Sequence, residues 1–168
     1  MELPKRKHLR LESFDYSSSG AYFITICTEN RRQILSRIVG RGLAPAETNG
    51  LEYTSFGKIA EKQLLLLEER YHFLTVDQYI IMPNHIHVIL FLDDKTAGAS
   101  PRPTIMDIVC AYKSLTTIEC RKHGCSEKLF QTSFYDHIIR NREDYNEILK
   151  YIYKNPTRWY YDELYSQE

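Results

Sequence analysis

Apolar side chains fall along this chain either in β-branched and aromatic runs or at helical spacing, and the switches between the two mark out the elements. Residues 21–28 (AYFITICT) follow the breaker stretch 17–20 and are rich in aromatic and β-branched side chains, which predicts a first strand. Over 56–71 the spacing becomes helical: Ile59, Leu64, Leu67 and Tyr71 interleave with Lys58, Glu61, Lys62 and Glu68, and Ser55 offers a cap. Two nearly continuous apolar runs, 73–82 and 85–92, are separated only by Pro83 and Asn84, a turn-favouring pair, so they predict adjacent antiparallel strands. Helical spacing returns after Pro103 and Thr104 with Ile105, Ile108, Val109, Tyr112 and Leu115, in a helix ending near Gly124. Residues 134–140 read as a fourth strand. Asn141 then caps a third helix through Asp144, Tyr145, Ile148 and Ile152 to Asn155, where Pro156 discourages continuation.

The resulting order is strand, helix, strand, strand, helix, strand, helix. It predicts an α+β fold, a ferredoxin-like antiparallel sheet with helices packed on one face plus a C-terminal helix. Residues 40–50, with three glycines and a proline, predict a loop or a weak hairpin, and 93–103 a second loop. The chain of 168 residues is long enough for one proper core, so a single domain over 1–168 is expected. The same element order also serves RNA-binding modules, and fold alone does not assign function.

Hydrophobic residues at 43% and charged residues at 26% are ordinary for a globular protein. No apolar run approaches the ~18 residues of a membrane span, and residues 1–10 lack a signal peptide's apolar stretch, so the expected compartment is cytoplasmic and no membrane partner is expected. Cys27, Cys110, Cys120 and Cys125 show no C-x-x-C spacing and read as core fillers or free thiols. The 22 basic and 22 acidic residues cancel, which argues against a protein that coats duplex DNA non-specifically. Charge is uneven, however. Lys5, Arg6, Lys7 and Arg10 form a basic N-terminal arm (residues 1–10) able to contact phosphates, the alternative being a solvated terminus.

His85 and His87 flank Ile86 on a predicted strand, where alternate side chains share a face, so two imidazoles project together. They form either a pair of metal ligands, with positions left open for an oxygen donor, water and substrate, or two polar residues on an exposed sheet face. On the last helix Tyr151 and Asn155 lie one turn apart, sharing a stripe with Asp144 and Glu147, so a nucleophile and an oxygen ligand can be presented together. Tyr153, two residues on, is turned by ~200° around the helix. With 13 tyrosines in the chain, spacing alone does not single one out.

Three strings narrow the choice. Residues 79–89 (YIIMPNHIHVI), 134–140 (FYDHIIR) and 151–156 (YIYKNP), with the opening segments 10–17 and 22–28, resemble the REP-associated tyrosine transposases of the single-tyrosine (Y1) HUH superfamily. The resemblance covers nearly the whole chain. It implies metal-dependent cleavage and strand transfer of single-stranded DNA through a covalent 5′-phosphotyrosine intermediate, on hairpin-containing repeats. Carried over by residue, it implies that Tyr151 is catalytic, that His85 and His87 hold a divalent metal, magnesium or manganese, and that Asn155 is a third metal contact where insertion-sequence relatives carry glutamine. His137, in the Tyr-Asp-His string, supports the site or is a hydrogen-bonded histidine beside it. Lys5, Arg6, Lys7, Arg31, Arg32, Lys113 and Arg140 are the cations available to DNA phosphates. The resemblance favours a monomer over a homodimer. The alternative reading is a domesticated, catalytically inactive binder of single-stranded nucleic acid.

Overall fold

The computed structural model describes residues 14–39, 50–93 and 102–166. The predicted basic arm and most of the two predicted loops lie outside these residues. Four strands, β1 (Gly20–Cys27), β4 (Leu74–Ile81), β5 (His85–Leu92) and β6 (Tyr135–Ile139), form an antiparallel sheet in the order β4-β5-β1-β6. Three helices accompany it: α1 (Ser55–Arg70), α2 (Ile105–Lys122) and α3 (Arg142–Lys154). The fold is the expected α+β, ferredoxin-like one. A two-stranded antiparallel ribbon, β2 (Ser36–Ile38) with β3 (Leu51–Tyr53), flanks residues 40–50, where the sequence allowed a loop or a weak hairpin.

Alternation along the strands separates two cores. Tyr22, Ile24 and Ile26 of β1 and Ile86, Val88 and Leu90 of β5 face one way, against Ala60, Leu64 and Leu67 of α1 and Ile105, Ile108, Val109 and Tyr112 of α2. Each fully buried aliphatic side chain there contributes about 1.5–3 kcal/mol of burial. Helices α1 and α2 thus cover one face. On the opposite face Ile80, Met82 and Ile89 meet Ile152 of α3 and Trp159.

The helix ends follow local chemistry. Thr54, not Ser55, caps α1, its hydroxyl accepting the Gly57 amide, because the helix already includes Ser55. Thr104 and Asp107 cap α2 reciprocally. Asn141 caps α3 as expected, by accepting the Asp144 amide. Pro156 does not end the helical path: it opens a 3-10 segment, Pro156–Tyr161, where its missing N–H costs nothing.

Helix α3 is anchored towards β4. A register shift in β4 between Val76 and Gln78 leaves Asp77 unpaired, and Asp77 accepts the Tyr145 hydroxyl at 2.6 Å. Tyr153 donates to Gln78 at 3.1 Å. Towards β6 the same face stays open: Tyr135 is 49% exposed.

Candidate active site

The paired register places His85 beside Cys27 and His87 between Thr25 of β1 and Ile80 of β4. Neither imidazole is on an exposed face, as the strand position alone allowed. His85 is 0% and His87 2% exposed, because α3 and the 3-10 segment fold over them. The His85 ring lies 5.9 Å from Trp159, and the His87 ring 5.1 Å from Tyr151.

The inner ring nitrogens are held. His85 Nδ1 meets Asn84 Oδ1 at 2.8 Å. The Asn84 amide nitrogen donates to the carbonyls of Arg31 and Leu164, so its oxygen faces the histidine and Nδ1 carries the proton. Arg31 adopts a left-handed backbone, φ 54°, that few non-glycine residues take. His87 Nδ1 lies 2.8 Å from Thr25 Oγ1. The outer nitrogens are then left over: among the described residues, both Nε2 atoms and Asn155 Oδ1 are buried without a hydrogen-bond partner of good geometry.

Asp162 completes the cluster. One ligand atom from each of His85, His87 and Asp162 lies within 4.8 Å of the others. Asn155, 2% exposed, donates from its amide nitrogen to Asp162 Oδ2 at 2.8 Å. An orphaned buried polar atom costs about 1–3 kcal/mol, so several converging on one point beside a carboxylate fit a divalent cation and fit an ordinary core poorly. Asp162 escaped the sequence reading because it lies seven residues beyond Asn155, past a proline. Only the tight 3-10 path returns it to the histidines.

Burial pushes His85 down to about 4, against the pull of Asp162 and Asn155, and burial with the neighbouring His85 holds His87 well below its ordinary value. Both rings are neutral near pH 7, as ligands must be. The Tyr151 hydroxyl lies 3.5 Å from Asp162 Oδ2. Burial first, then the Asp162 charge, raises the phenol to about 12. Its ring is 44% exposed and stands edge-on to Phe23 at 6.3 Å.

Tyr151, His87, Asn155 and Asp162 line a cleft of about 770 Å³ floored by Phe23 and Thr25. Of the predicted DNA-contacting cations only Arg31 lines it; Lys150, Lys154 and Arg158, not singled out from the sequence, also do. Arg32 is tied to Glu127 and the Lys128 carbonyl, and Lys113 to the carbonyls of Gln131 and Thr132, so both serve the loop before β6. Arg140 is exposed beyond the end of β6, and Lys5, Arg6 and Lys7 lie outside the described residues. His137 does not line the cleft: its Nε2 meets both Asp144 carboxylate oxygens at 2.9–3.0 Å, tying β6 to the first turn of α3.

The ferredoxin-like sheet thus carries a strand-borne histidine pair opposite a helix-borne tyrosine. No family model matches the chain. Curated relatives do. A protein of Haemophilus influenzae of uncharacterised function is 28% identical, over 95% of this chain and 93% of its own length. A putative REP-associated tyrosine transposase of the same organism is 26% identical over 89% of this chain and 77% of its own. The REP-associated tyrosine transposase of Escherichia coli is 25% identical over 85% and 70%. A solved structure of a REP-associated tyrosine transposase bound to a REP hairpin shares the fold, with a TM-score of 0.61, 20% identity, and 89% of this chain and 74% of that one covered. The chain is similar to the REP-associated tyrosine transposases over most of its length. Among the described residues, no helix is long and apolar enough to cross a membrane.

Proposed function

We propose that this chain cleaves and rejoins single-stranded DNA next to a hairpin, with Tyr151 as the nucleophile. The observation that carries this reading is the convergence of two buried, partnerless imidazole nitrogens and the Asp162 carboxylate beside the Tyr151 hydroxyl. The relatives' names, and the hairpin bound in the structure of like fold, support the choice of DNA as substrate.

His85 Nε2 and His87 Nε2, with oxygen from Asp162 or Asn155, would hold a divalent metal, magnesium or manganese. Bound there, such an ion supplies positive charge that polarises a phosphate and offsets the charge growing on its oxygens. Tyr151 Oη forms a bond to phosphorus as the bond from phosphorus to the 3′ oxygen breaks. The phenolic proton is balanced by the one the leaving 3′ hydroxyl gains, and Asp162 is the carboxylate nearest Oη to accept it on the way. The phosphodiester energy stays in the tyrosine linkage, so a second 3′ hydroxyl can reverse the step without ATP. Phe23 offers an aromatic face on the cleft floor, and Lys150, Lys154 and Arg158 face phosphates along its wall.

The test is a denaturing gel of labelled single-stranded hairpin oligonucleotides incubated with the protein and manganese or magnesium. A metal-dependent covalent adduct is expected. Binding of these strands with no adduct in either metal would replace this reading with the inactive nucleic-acid binder.

A further inference from the structure

A second hollow lies on the same face of the sheet, at the other end of β1. Its floor is a cross-strand row in which Phe91, Ala21 and Ile139 stand side by side. Alternation puts Ala21 on the face that carries Phe23 and Thr25. A methyl group between two large side chains leaves a depression, which Arg140, Arg142 and Tyr145 enclose at the start of α3, giving about 290 Å³. Phe91 is 36% exposed despite its apolar ring, which lies 6.2 Å from that of Tyr145. Because Asp77 holds the Tyr145 hydroxyl, the tyrosine offers the hollow a fixed ring.

We infer that this hollow is a second nucleotide subsite, in which an unpaired base of the bound strand stacks on Phe91 and Tyr145 while Arg140 and Arg142 meet the flanking phosphates. The inference rests on the reading of the cleft as a single-stranded DNA site. Two aromatic faces beside two exposed guanidiniums match the two halves of a nucleotide, and no acidic residue is among the described residues lining the hollow. Asp144, whose carboxylate feels the Arg140 charge, is turned to His137 and to the Arg140 backbone amide. The hollow and the cleft lie along the same face of β1. Ala21 and Thr25 are four strand residues apart, about 13 Å, with Phe23 between them. That distance is the rise of about four stacked nucleotides in one strand. The bound strand crosses outside the His137–Asp144 tie, which separates the two concavities, and its base is read a few nucleotides from the scissile phosphate.

The test is equilibrium binding of the full chain to a fluorescent single-stranded oligonucleotide in which one abasic nucleotide is moved through every position, with chelator present. Wild type should lose roughly 5- to 150-fold in affinity at one position away from the cut, the range of a single base–aromatic stack. Phe91→Ala should bind the intact strand more weakly by the same factor and be indifferent to that abasic site. Phe91→Leu, which keeps apolar packing without a ring, should behave like it. Arg142→Ala should weaken all strands alike and lower the salt slope by about 1. Wild-type affinity in both Phe91 variants, or an abasic penalty that survives in them, overturns the inference. Adduct formation is scored on the same strands in a parallel incubation with manganese in place of chelator. A ring-dependent penalty without any adduct leaves the subsite and removes the cleavage reading, whereas a normal adduct with ring-independent binding does the reverse.

Discussion

Three tyrosines near the cleft differ in what their hydroxyls do. Tyr151 reaches Asp162 and Tyr153 is engaged by Gln78, while Tyr135 lines the cleft from the strand side. Tyr151→Phe should therefore eliminate the covalent adduct and keep strand binding, since it removes one atom. Tyr153→Phe and Tyr135→Phe should still form the adduct on the same gel; an adduct with Tyr151→Phe that vanishes in either of the others would reassign the nucleophile. The histidines call for a readout besides cleavage, because both are buried and their loss also disturbs packing. Manganese at about 100 times its dissociation constant stabilises the folded chain by about 2.7 kcal/mol, which for a protein of this size raises the melting midpoint by about 5–10 °C. His85→Ala and His87→Ala should lose that shift, and Asp162→Asn should shrink it, in melts with and without metal. An undiminished shift in both histidine variants would sink the metal assignment.

At the scale of elements, two contacts set where the helices lie. Helix α1 approaches the chain leading into β2 so closely that a Cβ on Gly57 would sit 2.0 Å from the Leu35 carbonyl oxygen. Gly57→Ala, although favourable for an isolated helix, should destabilise the protein by about 1–3 kcal/mol, seen as a lower midpoint in urea with an unchanged slope. Helix α3 is held by Tyr145 on Asp77 at one side and by the His137–Asp144 pair at the other. That pair is exposed and adds little to global stability. His137→Ala should leave the melting temperature nearly unchanged, speed amide exchange in the first turn of α3, and lower adduct yield less than Tyr151→Phe does. Unaltered exchange there would remove the positioning role.

For the whole molecule, the buried histidines couple folding to pH. His85 has a folded pKa near 4, below its ordinary 6.5, so between these values the unfolded chain binds more protons than the folded one. Stability is full above about 6.5 and falls as pH drops towards 4. The metal-free melting temperature should decline over that window, and more shallowly in His85→Gln. Metal binding draws on the same neutral imidazoles, so the manganese shift should also fade as pH is lowered. A melting temperature flat between pH 7 and 4.5 would contradict the burial of these rings.

Much of the fold was written in local pattern. The β-branched, apolar runs over 21–28 and 85–92, the helical spacing over 56–71 and 105–115, and the Pro83–Asn84 turn set the strands and helices, because these preferences belong to the local backbone. Strand alternation put His85 and His87 on one face, and helical spacing put Tyr151 beside Asn155. Burial of the histidines, the contribution of Asp162 and the cations of the cleft were decided by tertiary structure alone. Each depends on α3 and the 3-10 segment folding back across the sheet, and packing between elements distant in sequence leaves no period to read. The β2–β3 ribbon was legible only as a possible weak hairpin, since strands of three residues carry too few alternations to fix a register. Neighbours along the chain chose the faces, and contacts between elements far apart in sequence chose which of those faces meet.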